Sequence, residues 1–285
     1  DETALEWVRN QTQRTEAELY DDTFHANVQR IKTVLDAQDR IPMVTKRGEH
    51  YYNFWRDSAH RLGLWRRTTW DSYLSDNPQW EVLLDLDLHA RQEGHEWHFA
   101  GSALLRPASG DAYERALLRL SPDGGDQVRI REFDLTSKSF VPDGFDLPVA
   151  KTQASWIDRD TLLVGSASSE QYTTRSTYAN TLRRLSRGME IEEAPILFEV
   201  DREHVAAFGY YDSTPGFERI VTTDAIDFYN STAGVFIDGE HHRIDVPTDV
   251  QVSLHRQWVL FAPQTPWEHQ GQQIAAGSLA IARLD

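Results

Sequence analysis

The chain has 285 residues, no cysteine and a net charge of −16, with 45 acidic against 29 basic side chains. Disulfides and cysteine-ligated metal centres are therefore excluded, and so acidic a protein repels nucleic acid unless its basic residues are gathered in one place. No apolar run approaches the roughly 20 residues of a membrane span, no signal-peptide pattern opens the chain, and the expected location is cytoplasmic.

Residues 1–38 are helical in pattern. Thr3 with Glu6 fits a capping box, in which the two side chains satisfy exposed amides at a helix start. Leu5, Val8 and Leu19, then Phe24, Val28, Ile31, Val34 and Leu35, recur at three- and four-residue steps. The pattern predicts two helices that break near residues 20–22. Pro42 ends the second, because the residue before a proline is pushed out of the α region. A helical segment is thus expected at 1–40 and a β domain at 41–285.

The first stretch after the helices is YYNFWRDSAHRLGLWRRTTW, residues 51–70, with six aromatic residues and four arginines. Rings for bases and cations for phosphate are what a single-stranded nucleic-acid platform needs, but the acidic balance of the whole chain argues against one. The stretch reads better as two strands, 51–56 and 64–69. Alternation puts Tyr51, Asn53 and Trp55 on one face and Tyr52, Phe54 and Arg56 on the other. Large rings on both faces suit a sheet packed between neighbours, and the arginines are expected to cover ring edges and meet carboxylates.

Short strand-like runs continue at 80–86, 96–104, 115–120, 127–134, 154–157, 161–165 and 196–200. Further runs follow at 205–211, 218–222, 225–229, 234–237, 242–246, 258–262 and 278–283. Turn residues separate them, as in Pro122-Asp123-Gly124-Gly125, Asp158-Arg159-Asp160 and Asp238-Gly239. Regular short strands with such turns mean a sandwich, a barrel or a propeller. One layout, a strand and a second strand ending in an acidic residue, recurs at 63–87, 115–134, 181–201 and 217–245, with a shortened copy at 275–285. The interval averages about 50 residues, near that of propeller blades. A mainly β fold is expected: a β-propeller of about four full blades and part of a fifth, preceded by the helical segment.

The chemistry-bearing motifs are few. A hydrolase nucleophile elbow needs G-x-S-x-G, because glycines tolerate the strained turn that exposes the serine, and no such pentad occurs. Asp238-Gly239-Glu240-His241-His242 has two adjacent histidines, which a strand points to opposite faces; it reads as a polar hairpin. His95-Glu96-Trp97-His98 misses the helical H-E-x-x-H spacing of a zinc site. No phosphate-binding loop appears, and no local spacing marks the carboxylate pair of a glycosidase. No metal ligand, cofactor or catalytic residue is assigned. Residues 165–184, GSASSEQYTTRSTYANTLRR, form a long polar excursion between two strands, and loops of this length are often functional.

Several ordered fragments resemble the prolyl oligopeptidase family of serine peptidases. They are ALEWVRNQTQRTEAEL (4–19), DRIPMVTKRGEHYYNFWRD (39–57), GLWRRTTWDSYLSDNPQWEVLLDLD (63–87), REFDLTSKSFVPDGFDLPVAK (131–151), SWIDRDTLLVG (155–165), TPGFERIV (214–221) and AGSLAI (276–281). The family joins an α/β-hydrolase catalytic domain to a seven-bladed propeller that caps the active site and admits short peptides. The resemblance covers the leading helical segment and roughly the first five blades. It implies that this chain is the substrate-gating cap of such a peptidase, that its partners are a catalytic domain absent here and a short peptide, and that the chain alone is inactive. It also implies that the 165–184 loop faces the catalytic domain, with Tyr172, Arg175 and Tyr178 lining the cavity between them; a solvated loop is the competing expectation. A free-standing propeller that binds a peptide or protein is the alternative for the whole chain.

Overall fold

Two helices, Glu2–Leu19 and Asp22–Leu35, open the computed structural model, which describes residues 2–37, 39–107 and 112–284. The break falls where the periodicity predicts it. Asp21 caps the second helix, its Oδ1 accepting the Phe24 amide at 2.7 Å, and the Tyr20 ring stacks on Phe24 with centroids 4.0 Å apart. The first helix already contains Thr3, so the predicted cap lies inside its first turn. Neither helix buries a residue: Leu5, Trp7, Val8, Ile31, Val34 and Leu35 are all exposed.

The chain forms two compact units, residues 1–46 with 50–87, and residues 47–49 with 88–285. The first sheet runs in the order Thr45–Arg47, His50–Trp55, Leu64–Thr69, Glu81–Asp85. Its central pair sets Asn53 opposite Arg66 and Phe54 opposite Trp65, the alternation expected of 51–56. On one face the Arg66 guanidinium is inserted between two indoles, 4.6 Å from the Trp55 centroid and 4.1 Å from that of Trp80. Its Nε donates to Asn53 Oδ1 at 2.8 Å, and burial lowers its pKa to about 10. On the other face Tyr52 and Trp65 are buried, and Arg67 Nε donates to Glu81 Oε2 at 2.6 Å. The aromatic–arginine stretch is a sheet core that takes up Arg66 and Arg67, while Arg56 and Arg61 are exposed.

Among the described residues, four further antiparallel sheets of three or more strands and one two-stranded hairpin follow in the second unit. The second sheet contains His98–Leu104, Arg115–Ser121, Val128–Asp134 and Ser139–Phe140, with Asp146–Ala150 also paired to Val128–Asp134. The third is Thr152–Asp158, Thr161–Ser166, Thr181–Ser186 and Ile196–Glu199. The fourth is Ala206–Asp212, Arg219–Ala225, Ser231–Ile237 and Glu240–Arg243. In the fifth, Trp258–Pro263 pairs with both Val250–His255 and Ala280–Arg283, and a small hairpin, Trp267–His269 with Gln272–Ile274, is inserted before the last strand. Successive up-and-down sheets of this kind are propeller blades. The predicted four blades and part of a fifth are these sheets; Asp285, the last residue of the shortened copy, lies outside the described residues.

The run 162–164 within Thr161–Ser166 is apolar throughout because both faces are covered. Leu162 and Val164 pack with Leu117, Ile130 and Leu147 of the second sheet. Leu163, between them in sequence, packs on the other face with Leu182 and Ala207, the latter from the fourth sheet. The first strands of neighbouring sheets are also stitched by side chains. Trp156 Nε1 donates to Ala103 O at 2.9 Å, Gln153 Nε2 to Ala207 O at 2.7 Å, and Ser155 Oγ accepts the Tyr211 amide at 3.1 Å. The approach is close enough that a Cβ on Gly209 would lie 2.4 Å from Leu182 Cδ1.

Turn chemistry follows the sequence with one exception. Asp238 and Gly239 both take positive φ, 51° and 84°, as a two-residue hairpin turn requires. The run 225–229, predicted as a strand, is a turn after Ala225. Asp227 Oδ1 accepts the amides of Tyr229 and Asn230 at 2.7 and 2.8 Å, an Asx turn that withdraws those donors from any ladder.

Candidate functional site at the loop end of the third and fourth sheets

In an up-and-down sheet, the loop between the second and third strands leaves from the same end as the connection to the next sheet. In the third sheet that end carries residues 167–180, the long polar excursion, and 200–205. The two segments hold each other. Arg202 donates from Nε to Thr173 O at 3.1 Å and from Nη2 to Glu170 O at 2.9 Å. Thr174 Oγ1 donates to Val205 O at 2.8 Å, and the Arg175 amide to Arg202 O at 2.8 Å. A short 3₁₀ turn, Glu170–Tyr172, and a bridge between Thr173 and Ala179 complete the loop. The loop is built, not merely long.

Its tip is strained. Thr177 has φ 67°, a conformation that costs a β-branched residue about 1–3 kcal/mol and persists only where the surroundings impose it. Here Lys151 imposes it, donating from Nζ to Thr177 Oγ1 at 2.9 Å. The same ammonium lies 4.2 Å from the Tyr178 centroid and 3.7 Å from Asp126 Oδ2. Tyr178 meets Phe208 edge to face, with centroids 6.2 Å apart. Lys151, Gln153, Gly165, Tyr178, Ala207 and Phe208 line a small pocket of about 120 Å³ at this end. A cation over one ring, beside a second ring, suits a peptide segment.

The three residues singled out in the sequence are not brought together. Tyr178 lines the pocket. Tyr172 turns the other way and stacks under the Arg183 guanidinium, 3.9 Å from its ring centroid. Arg183 is only 3% exposed, and its Nη1 donates to the carbonyls of Ile191, Glu192 and Ala194. Arg175 is 81% exposed in its side chain and pairs with Glu203 at 3.2 Å. Lys151, Gln153 and Phe208 escaped the sequence reading because they lie outside this loop, Gln153 and Phe208 on strands of two sheets and Lys151 just before one. The one available signal was Lys151 itself, a lysine in a chain whose cations are nearly all arginine.

The remaining motifs have packing partners. His241 sits between Phe198 and Phe236, with centroids 5.0 and 5.2 Å away, and shares a 2.8 Å hydrogen bond with Thr222 Oγ1. Burial, then its neighbour His242, pushes its pKa down. His95 meets the edge of Trp97 at 4.5 Å. Among the described residues no group of three or more His, Asp or Glu side chains is placed to hold a metal, and no helix is long and apolar enough to cross a membrane. Two His–Asp pairs are formed, His204 with Asp224 at 2.8 Å and His60 with Asp57 at 2.9 Å. Neither imidazole has a serine hydroxyl hydrogen-bonded to its second nitrogen among the described residues. A wider cleft of about 940 Å³ lies at the opposite end of sheets two to four, crossed by an Arg159–Glu114 pair at 3.4 Å.

Comparison with known proteins gives consistent matches. The family model described as the N-terminal β-propeller domain of prolyl oligopeptidase matches residues 1–221. An uncharacterized peptidase of Sinorhizobium fredii is 35% identical over 242 residues, 83% of this chain and 32% of that protein. An uncharacterized peptidase of Rickettsia prowazekii is 29% identical over 97% of this chain and 40% of its own length. Among solved structures, a post-proline cleaving enzyme from Rickettsia typhi superposes with a TM-score of 0.85 at 29% identity, covering 98% of this chain and 42% of that one. The chain therefore spans about a third to two fifths of the length of these relatives.

Proposed function

Since the chain belongs to the prolyl oligopeptidase family, as its N-terminal propeller portion, we propose that it is the cap of a serine peptidase that cleaves short peptides, with proline before the scissile bond. The observation that carries this reading is the match over residues 1–221, together with a fold shared along 98% of the chain with a post-proline cleaving enzyme. The division into a helical segment, 1–40, and a propeller, 41–285, is part of the proposal. So is a cytoplasmic location.

In this reading the nucleophile, the general base and the oxyanion donors of the acyl-enzyme route belong to an α/β-hydrolase portion outside these residues. The missing G-x-S-x-G and the absence of a serine on either His–Asp pair support that division. The exposed stripe of Leu5, Val8, Ile31, Val34 and Leu35 suits helices that pack on the catalytic portion. The loop end of the third and fourth sheets faces the reaction chamber. There the Lys151–Tyr178–Phe208 pocket meets the peptide, and the closely packed sheets exclude larger substrates.

A fluorophosphonate probe tests the proposal. Incubated with the full gene product, it is expected to label one serine outside residues 1–285, and incubated with this chain alone, none. Stoichiometric labelling of a serine within 1–285 overturns the assignment. Failure of the full gene product both to take the label and to cleave a prolyl peptide overturns the peptidase reading itself.

A further inference from the structure

The turn at 226–230 joins the second and third strands of the fourth sheet, so it leaves from the end that carries the Tyr178 pocket. The first strands of the third and fourth sheets run side by side in the same direction, Gln153 bonding to Ala207 and Gly209, and Ser155 to Tyr211. On this turn Phe228 is 93% exposed and Tyr229 76% exposed. A single exposed ring on a protein surface needs no explanation. Two adjacent ones on a fixed support do, because the turn is braced far beyond what a solvated tip requires. Asp227 accepts four hydrogen bonds from Tyr229 and Asn230. The amides of Ile226 and Asp227 both donate to Asn230 O, at 3.0 and 3.2 Å. Thr248 Oγ1 donates to Asn230 Oδ1 at 2.9 Å, and the Ser231 amide to Thr248 O at 2.7 Å.

We infer that Phe228 and Tyr229 form a preorganised aromatic latch that inserts into the catalytic portion of the same protein. The inference rests on the cap reading above and names the contact that reading leaves open. Rigid rings with two torsions each lose little entropy on docking and dominate protein interfaces when they enter a pocket. The occupant follows from the length of the relatives and from the cap reading. The relatives carry well over half their length outside the region this chain matches, and the turn leaves from the end assigned to that remainder. A peptide substrate is a poorer fit, because a substrate site is concave and these rings project.

Photo-crosslinking decides the point. p-Benzoylphenylalanine replaces Phe228 in the full gene product; the site is solvent-exposed, so folding is preserved and is checked by near-UV circular dichroism. The preparation is first labelled with a fluorophosphonate. Without a labelled serine outside 1–285, the cap reading fails and this inference falls with it. With the label present, irradiation is expected to give an intramolecular crosslink at monomer mobility, which peptide mass spectrometry maps to the labelled portion. A crosslink to a second copy, to an added proline-containing pentapeptide or to residues within 1–285, or no crosslink at all, overturns the latch while leaving the cap reading intact.

Discussion

Glu132 offers a direct test of how the blades are joined. Its side chain is 1% exposed, on the second sheet, between two arginines. Arg187 of the third sheet approaches with Nη1 at 2.7 Å from Oε2, and Arg115 with Nε at 3.3 Å from Oε1. The Phe145 amide donates to Oε2 at 3.0 Å. Hydrogen bonding to Glu132 is the main cause that raises the Arg187 pKa. Glu132→Gln keeps the shape and the acceptor for Phe145 but removes the charge and turns an amide N–H₂ toward a cation. Removing one partner of a buried pair costs about 3–5 kcal/mol. Arg115 keeps Asp134, and Arg187 keeps Asp160 at 2.8 Å, so the low end, about 3 kcal/mol, is expected. At about 2–3 °C per kcal/mol for a chain of this size, calorimetry should show Tm falling by about 6–9 °C. A double-mutant cycle with Arg187→Met isolates the pair and should return a coupling of at least about 1 kcal/mol. A fall under about 1.5 °C, or a coupling near zero, would show that this buried ion pair does not help to hold the sheets together.

Gly209→Ala places a Cβ 2.4 Å from Leu182 Cδ1 and 2.8 Å from Val221 O, and the backbone oxygen has no room to yield. The expected loss is about 1–3 kcal/mol, read as a lower urea midpoint at unchanged slope; an unchanged midpoint refutes the close approach of the third and fourth sheets. Lys151→Met removes the hydrogen bond to Thr177 and the cation from the Tyr178 ring. Amide exchange in residues 172–180 should quicken by about tenfold, equivalent to about 1.4 kcal/mol, while Tm moves little; equal protection in both proteins would mean that the loop holds itself. Burial pushes His89 and His241 below the ordinary value of 6.5. Below that pH the unfolded chain binds protons that the folded chain refuses. Stability contributed by these groups is therefore flat above about pH 6.5 and declines as pH falls toward their folded values. His241→Gln should flatten the Tm profile between about pH 7 and pH 5.5, and an unaltered slope removes His241 from the account.

The blades were legible because their signals are local. Alternation in 51–56, the Asp238-Gly239 turn and the strand-like run 161–165 each reflect forces acting within one strand or one hairpin. The run 225–229, predicted as a strand, shows the limit of that evidence, as do Asp146–Ala150 and Val250–His255, strands that the pattern did not mark. Ile226, Phe228 and Tyr229 carry high strand propensity, but Asp227 offers the backbone side-chain acceptors that a ladder cannot match locally. Propensity describes what side chains prefer on a pleated surface, and this run has no surface to lie on. That is also why its rings are free to face outward.

The candidate site was legible only as a length of polar loop. Tyr172, Arg175 and Tyr178 are spaced so closely that any extended loop would present them together. The folded loop instead spends Tyr172 on the buried Arg183 and Arg175 on Glu203, leaving Tyr178 alone in the pocket. Of the residues that join it, Lys151 directly precedes the first strand of the third sheet and Phe208 lies on the first strand of the fourth, and only the stacking of those sheets brings them within reach. The same stacking resolves an apparent conflict between rigidity and function. Gln153, Ser155 and Trp156 lock the first strands at their backbones, so the sheet interiors have no slack to give. Strain at Thr177 and exposed rings at Phe228 and Tyr229 are tolerated at the loop end because the blades beneath do not depend on either. On the cap reading proposed above, the loop end is where contacting chemistry can vary at little cost to the sheets, because the interlocked first strands lie beneath it.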